Sequence, residues 1–148
     1  MGRIMGLDFG SKTVGVALTD PLGLICSPTE TITREREGKM RATFRRITDI
    51  ASEKGVEEIA VGLPVNMDGS ESERSRKSRQ FAEDLRYRLM QEGLDIPVFM
   101  QDERLTTVSA DEILADTGVK AADRKTYIDS VAASLILEDY IKNKTKKG

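Results

Sequence analysis

The sequence predicts an α/β fold in which a five-stranded mixed sheet carries helices on both faces. Three strand patterns come first, on short connections, which is typical of an antiparallel meander. Helical and strand patterns then alternate, which favours parallel pairing through right-handed crossovers. The chain has 148 residues, enough for one domain with its own core. We therefore expect antiparallel strands 1–3 and parallel strands 4 and 5, with strand 1 central between strands 2 and 4.

The first three strands are predicted at residues 3–8, 14–18 and 22–33. Strand 1 is mostly apolar and ends on the carboxylate of Asp8, and turn-forming residues separate it from strand 2. Strand 3 has apolar residues up to Cys26 and alternating threonines afterwards. These patterns indicate that Asp8 lies at the end of a buried strand.

Helical periodicity begins after strand 3. Met40, Phe44, Ile47 and Ala51 fall on one helical face, and Gly55 follows where a C-terminal cap belongs. Strand 4 is predicted at residues 58–62 and is followed by a loop over 63–69.

A second helix is predicted after that loop. Ser70 and Glu73 form a predicted capping box at its start, and Gly93 ends it. Strand 5 is predicted at residues 96–100, a short helix at 109–115 and a last helix at 124–143. We expect a single domain over 1–148, with residues 142–148 as a flexible basic tail.

Composition removes several kinds of chemistry. The sequence has no His and one Cys, Cys26, so a Ser-His-Asp or Cys-His triad, a His/Cys zinc cluster and a disulfide framework are excluded. Catalysis is left to carboxylates, Lys, Arg, Tyr and hydroxyls, and any metal to oxygen ligands. The lone thiol, the absence of an export signal and the lack of a long apolar run predict a cytoplasmic protein with no membrane partner.

Three carboxylates occupy positions that favour function. Asp8 ends strand 1, Glu103 follows strand 5, and Asp129 lies in the first turns of the last helix beside its apolar stripe. Taken singly, each also suits a structural role, as a turn residue, a surface ion pair or a helix-dipole partner. Because strands 1 and 4 are expected to be parallel, Asp8 and Glu103 can meet at one sheet edge with Asp129 above them.

Grouped acids of this kind repel one another, and divalent cations relieve the repulsion. A pair of Mg²⁺ or Mn²⁺ ions about 4 Å apart would form a two-metal phosphoryl-transfer site. We therefore predict Asp8, Glu103 and Asp129 as catalytic and metal-binding residues, and no organic cofactor.

Four segments, residues 6–12, 61–69, 102–107 and 128–133, resemble the YqgF/RuvX family in order and spacing. Members of that family are described as Holliday junction resolvases and as pre-16S rRNA nucleases. The resemblance covers nearly the whole chain and implies an RNase H-like fold. It also implies that Asp8, Glu103 and Asp129 are the family's acidic triad. The expected activity is metal-dependent cleavage of structured nucleic acid. The expected substrate is the 5′ end of pre-16S rRNA in ribosome biogenesis, and the alternative is a Holliday junction in recombination.

Basic residues near the acids are predicted to hold substrate phosphates. The chain's net charge is −2, so these contacts would be local. Basic side chains elsewhere in residues 34–46 are interpreted as a solvated surface. The loop after strand 4 is expected to touch substrate through Asn66 and Asp68, with a tight turn as the alternative. The predicted phosphate contacts are Lys12, Arg74, Arg76, Lys77 and Arg104.

Two other functions remain open on the residues alone. Residues 8–12 also resemble the phosphate hairpin of actin-like ATPases, although those need a second domain. A non-catalytic nucleic-acid-binding module is the other alternative. The partner is expected to be precursor rRNA or branched DNA, bound by a monomer or a homodimer, since no dimer interface is specified.

Overall fold

The computed structural model describes residues 2–103 and 121–147, with side chains of the last helix described for residues 129–144. Strands and helices alternate after an initial run of three strands. The strands are β1 Arg3–Phe9, β2 Thr13–Thr19, β3 Cys26–Thr33, β4 Val56–Pro64 and β5 Val98–Glu103. The helices are α1 Arg41–Glu53, α2 Glu73–Gln91 and α3 Ala121–Lys147. The short helix predicted at 109–115 lies outside the described residues.

The strands form one five-stranded sheet in the order β3-β2-β1-β4-β5. β2 pairs antiparallel with both β1 and β3. β4 pairs parallel with both β1 and β5. The predicted mixed sheet with strand 1 at its centre is therefore confirmed.

The two faces of the sheet pack differently. Large side chains such as Met5 and Leu7 point from β1 towards α1 and α2 and form the main core. On the other face, small residues let α3 approach closely: a Cβ added at Gly6 would lie 2.8 Å from the carbonyl oxygen of Ala133. Alternation along β1 thus places Asp8, two residues beyond Gly6, on the α3 face.

The start of β3 differs from the prediction. The strand begins at Cys26, whereas the sequence pattern predicted it from residue 22. The side chain of Asp20 accepts hydrogen bonds from the backbone nitrogens of Leu24 and Ile25, at 2.7 and 2.8 Å. That turn takes up the apolar residues, and Leu22, Leu24 and Ile25 remain exposed.

The predicted capping box of α2 is wrong by two residues. Ser72 caps the helix and exchanges hydrogen bonds with Ser75. Ser70 instead donates to Asp68 at 2.6 Å within the preceding turn. Ser70 and Ser72 lie two residues apart, and the hydrogen bonds of Ser70 within the turn leave Ser72 as the cap.

Helix ends predicted at glycines are confirmed, since Gly55 and Gly93 follow α1 and α2 with φ of 66° and 71°. Among the described helices, none is both long and apolar enough to cross a bilayer.

Candidate active site

Asp8 is held at the C-terminal end of the central strand, on the face that α3 covers. It pairs in register with Gly15 of β2. Its neighbours Leu7 and Phe9 point to the opposite face, where Phe9 stacks on Phe81. The carboxyl group therefore lies between the sheet and the last helix.

Asp129 reaches the same place because β2 lacks a side chain there. A Cβ on Gly15 would lie 1.9 Å from the backbone oxygen of Asp129, so α3 contacts the strand directly at this point. Because Gly15 is the cross-strand partner of Asp8, this contact brings Asp8 and Asp129 close together.

Burial and charge both act on Asp8. Its pKa is raised from 3.8 to about 7, first by desolvation and next by the negative charge of Asp129, while the positive charge of Arg74 lowers it. A carboxyl group that titrates near neutral pH is unusual for a structural aspartate and is common at catalytic sites.

Glu103 lies on the same face of the sheet, at the end of β5. The preceding residues of that face, Phe99 and Gln101, contact Tyr140 and Asn143 of α3. Alternation then directs Glu103 towards the α3 side, and its Oε1 atom is buried. Glu103 is opposite Pro64 in the register with β4, so one strand separates it from β1.

Within the described part of the chain, no group of three His, Cys, Asp or Glu side chains is close enough to hold a metal ion. The structure places Asp8 and Asp129 close together and Glu103 on the same face of the sheet, one strand away from β1. A pair of carboxylates still suits Mg²⁺ or Mn²⁺, because such ions take one or two protein carboxylates and complete their shell with water and substrate phosphate. The raised pKa of Asp8 fits the same role, since a cation would replace the proton.

The turn after Asp8 is fixed by Arg34, which the sequence analysis had interpreted as part of a solvated basic run. This side chain is 6% exposed. Its Nη2 atom donates to the carbonyl oxygens of Gly10 and Ser11 at 2.6 and 2.8 Å. Its guanidinium also lies 4.8 Å from the centre of the Phe9 ring. Arg34 therefore holds the backbone of the turn that follows the candidate catalytic residue Asp8.

Arg74 and Lys77 connect α2 to this turn. Arg74 donates from Nη2 to the carbonyl oxygen of Phe9 at 2.9 Å. Both cations also contact the carboxylate of Glu37, which the sequence analysis did not single out. Basic and acidic residues alternate over residues 34–37, as they can in a solvated segment, so the sequence carries no signal for the buried Arg34 or the central Glu37.

The other residues predicted to contact substrate are exposed, lie outside the described residues or form contacts within a turn. Lys12 and Arg76 are exposed, and Arg104 lies outside the described residues. Asn66 and Asp68 both bond to Ser70, at 3.0 and 2.9 Å, within a tight turn. Their side chains thus make the turn contacts that were the alternative to substrate binding.

Comparison with solved structures identifies the fold. RuvC of T. thermophilus, solved in complex with a Holliday junction substrate, matches with a TM-score of 0.56 and 14% identity over 98% of each chain. At that identity the likeness concerns the fold alone: the sheet and helices are those of the RuvC-like, RNase H-type class.

Comparison with sequences is more specific. The family model of RuvX, described as Holliday junction resolvase, matches residues 2–143. A protein of Lachnospira eligens named "Putative pre-16S rRNA nuclease" is 50% identical, over 97% of this chain and 99% of its own. A protein of Agathobacter rectalis with the same name is 43% identical over 94% of both chains. The chain belongs to the RuvX family, as the four sequence motifs had indicated.

Proposed function

We propose that this protein is a metal-dependent endonuclease that hydrolyses phosphodiester bonds in structured nucleic acid, with the 5′ end of pre-16S rRNA as its substrate. The observation that supports this proposal most is the proximity of Asp8 and Asp129 at the end of the central strand, where the pKa of Asp8 is raised to about 7. The names of the two relatives at 50% and 43% identity support the choice of substrate.

Each residue of the site has a distinct role in this proposal. Asp8 and Asp129 hold the divalent cation, and Glu103 completes the acidic triad from β5 once substrate is bound. Arg74 and Lys77 bind backbone phosphates beside the turn. Arg34 is a positioning residue, because it holds the carbonyl groups of that turn.

A bound Mg²⁺ or Mn²⁺ would supply an acidified water and stabilise the negative charge of the leaving oxygen. The chain's own contribution is to present the Asp8 carboxyl group, whose proton a cation can displace near neutral pH. It also keeps Arg74 close to Asp8, where the positive charge of the guanidinium favours the ionised carboxylate. Recognition through the backbone fits a chain that has three Tyr, four Phe and no Trp, because few side chains can stack on bases.

Branched DNA is a second candidate substrate. The description of the RuvX family model favours it. A resolvase has to present two active sites to two strands, so this alternative requires a dimer, whereas trimming an rRNA end requires one site.

The test is a cleavage assay on a precursor 16S rRNA 5′ end and on a four-way DNA junction, with Mg²⁺ or Mn²⁺. We expect products with 5′-phosphate and 3′-hydroxyl ends. Asp8→Asn, Glu103→Gln and Asp129→Asn should each abolish cleavage while leaving nucleic-acid binding nearly intact. Asp102→Asn is the matched control, because Asp102 is exposed beside Glu103, and it should retain activity.

The contradicting outcomes identify the alternatives. Binding of either nucleic acid without cleavage under both metals would favour a binding module. ATP hydrolysis with no nucleic-acid cleavage would favour the actin-like phosphate binder.

A further inference from the structure

The carboxylate of Glu37 already binds the two cationic side chains near Asp8, those of Arg74 and Lys77. Glu37 accepts from Lys77 Nζ at 2.9 Å and from Arg74 Nη1 at 3.4 Å, both through Oε1. The side chains of Glu37, Lys77 and Arg74 are 41%, 42% and 33% exposed, so a ligand can reach them from solvent.

These two cations belong to the candidate active site. Arg74 uses its other terminal nitrogen, Nη2, on the carbonyl oxygen of Phe9, the residue after Asp8, and its charge acts on the Asp8 carboxyl. A phosphate that bound Arg74 would therefore lie beside the end of β1.

Glu37 is directed there by its backbone. Its carbonyl oxygen accepts from Arg34 Nε at 3.1 Å, and the same guanidinium holds Gly10 and Ser11. The loop that carries Glu37 is thus tied to the turn that follows Asp8. The placement of its carboxylate follows from this anchor and does not depend on chance pairing of long surface side chains.

Chemically, a carboxylate and a phosphodiester present the same features to Arg and Lys: one negative charge and two acceptor oxygens. Ion pairs with this degree of exposure stabilise weakly, so an incoming anion can displace the carboxylate.

We propose that Arg74 and Lys77 form a phosphate subsite for the nucleic-acid backbone and that Glu37 is its internal occupant, which substrate must displace. Glu37 thereby weakens binding of a nucleic acid that places a phosphate at this position, because that phosphate must first displace the carboxylate. This inference rests on the proposed function, since it names the part of that site that receives one backbone phosphate.

The test measures dissociation constants by fluorescence anisotropy in EDTA, at about 50 mM salt, where phosphate contacts are strong. The probes are a labelled precursor 16S rRNA 5′ end and a labelled four-way DNA junction. We expect Glu37→Gln to tighten binding about three- to tenfold, because two partly exposed ion pairs no longer compete. In a Lys77→Gln background, Glu37→Gln should have a smaller effect.

Glu35→Gln is the matched control. It removes the same charge from the same loop, but Glu35 is 81% exposed and pairs with Lys39 at 3.4 Å. It should change binding less than about twofold, as expected for a screened surface charge. If Glu37→Gln lowers the melting temperature, Glu37→Asp replaces it, since the shorter side chain withdraws the carboxylate and should still tighten binding.

Equal tightening by Glu35→Gln and Glu37→Gln would overturn the inference, because only net charge would then matter. Unchanged binding in Glu37→Gln, with wild-type protein that binds nucleic acid, would overturn this inference alone. Wild-type protein that binds neither probe would overturn the proposed function and this inference together.

Discussion

Replacing Asp8 with Asn should stabilise the metal-free protein at alkaline pH. In the folded state the pKa of Asp8 is about 7, whereas in the unfolded chain it has the ordinary value of 3.8. Between these values the folded state binds more protons than the unfolded state, so stability falls as pH rises. Asn keeps the shape of the protonated carboxyl group and removes this loss.

The size of the effect follows from the same values. The difference between 3.8 and about 7 corresponds to about 4 kcal/mol at 1.36 kcal/mol per pKa unit. Because Asp8 keeps some contact with solvent, water will reduce this, and we expect about 2–4 kcal/mol at pH 8. At pH 5 the gain should be smaller, about 1–2 kcal/mol, because only the part of this pH range between 3.8 and 5 has been crossed.

Urea unfolding in EDTA at pH 5, 6, 7 and 8 measures this difference directly. Asp102→Asn serves as the control, since Asp102 is exposed, and its effect should not grow with pH. An Asp8→Asn variant that is less stable than wild type at pH 8 would refute the reasoning and would indicate that Asp8 is a structural turn residue.

Three further results are expected. Asp129→Asn should lower the pKa of Asp8 from about 7, because it removes a neighbouring negative charge. NMR titration of the Asp8 carboxyl carbon measures this pKa, and an unchanged midpoint would contradict the prediction. Gly15→Ala should destabilise the fold by about 1–3 kcal/mol, since the added Cβ would lie 1.9 Å from the backbone oxygen of Asp129. Thermal unfolding measures this loss. An unchanged melting temperature would show that α3 does not contact β2 there. Arg34→Met should cost about 1–3 kcal/mol, because the carbonyl groups of Gly10 and Ser11 lose their charged donor. Arg34→Lys should not restore this stability in urea unfolding, because lysine lacks the planar fork of arginine. Full stability of either variant would show that Arg34 does not hold the turn.

Much of this architecture could be predicted from the sequence, because the signals were local. The apolar run that ends at Asp8 and the period of 3.6 from Met40 onwards each lie within a single element, and the strand order follows from the connections. The position of Asp129 over β2 was also within reach, since Gly15 and the small residues of α3 indicate close packing.

The arrangement around the turn could not be predicted in this way. Arg34 is buried because distant carbonyl groups at Gly10 and Ser11 need donors, and nothing adjacent in sequence shows that need. Glu37 meets Arg74 and Lys77 only after β3, α1 and α2 have assembled. Likewise, the choice of Ser72 over Ser70 as the cap depended on how the preceding turn closed.

The most direct measurement is anomalous diffraction from crystals soaked in Mn²⁺ with an uncleaved nucleic-acid strand. We expect a Mn²⁺ peak coordinated by both Asp8 and Asp129 and by a backbone phosphate, and we expect this peak to be lost in Asp8→Asn crystals. Ordered nucleic acid with Mn²⁺ bound elsewhere, and none between these two carboxylates, would contradict it.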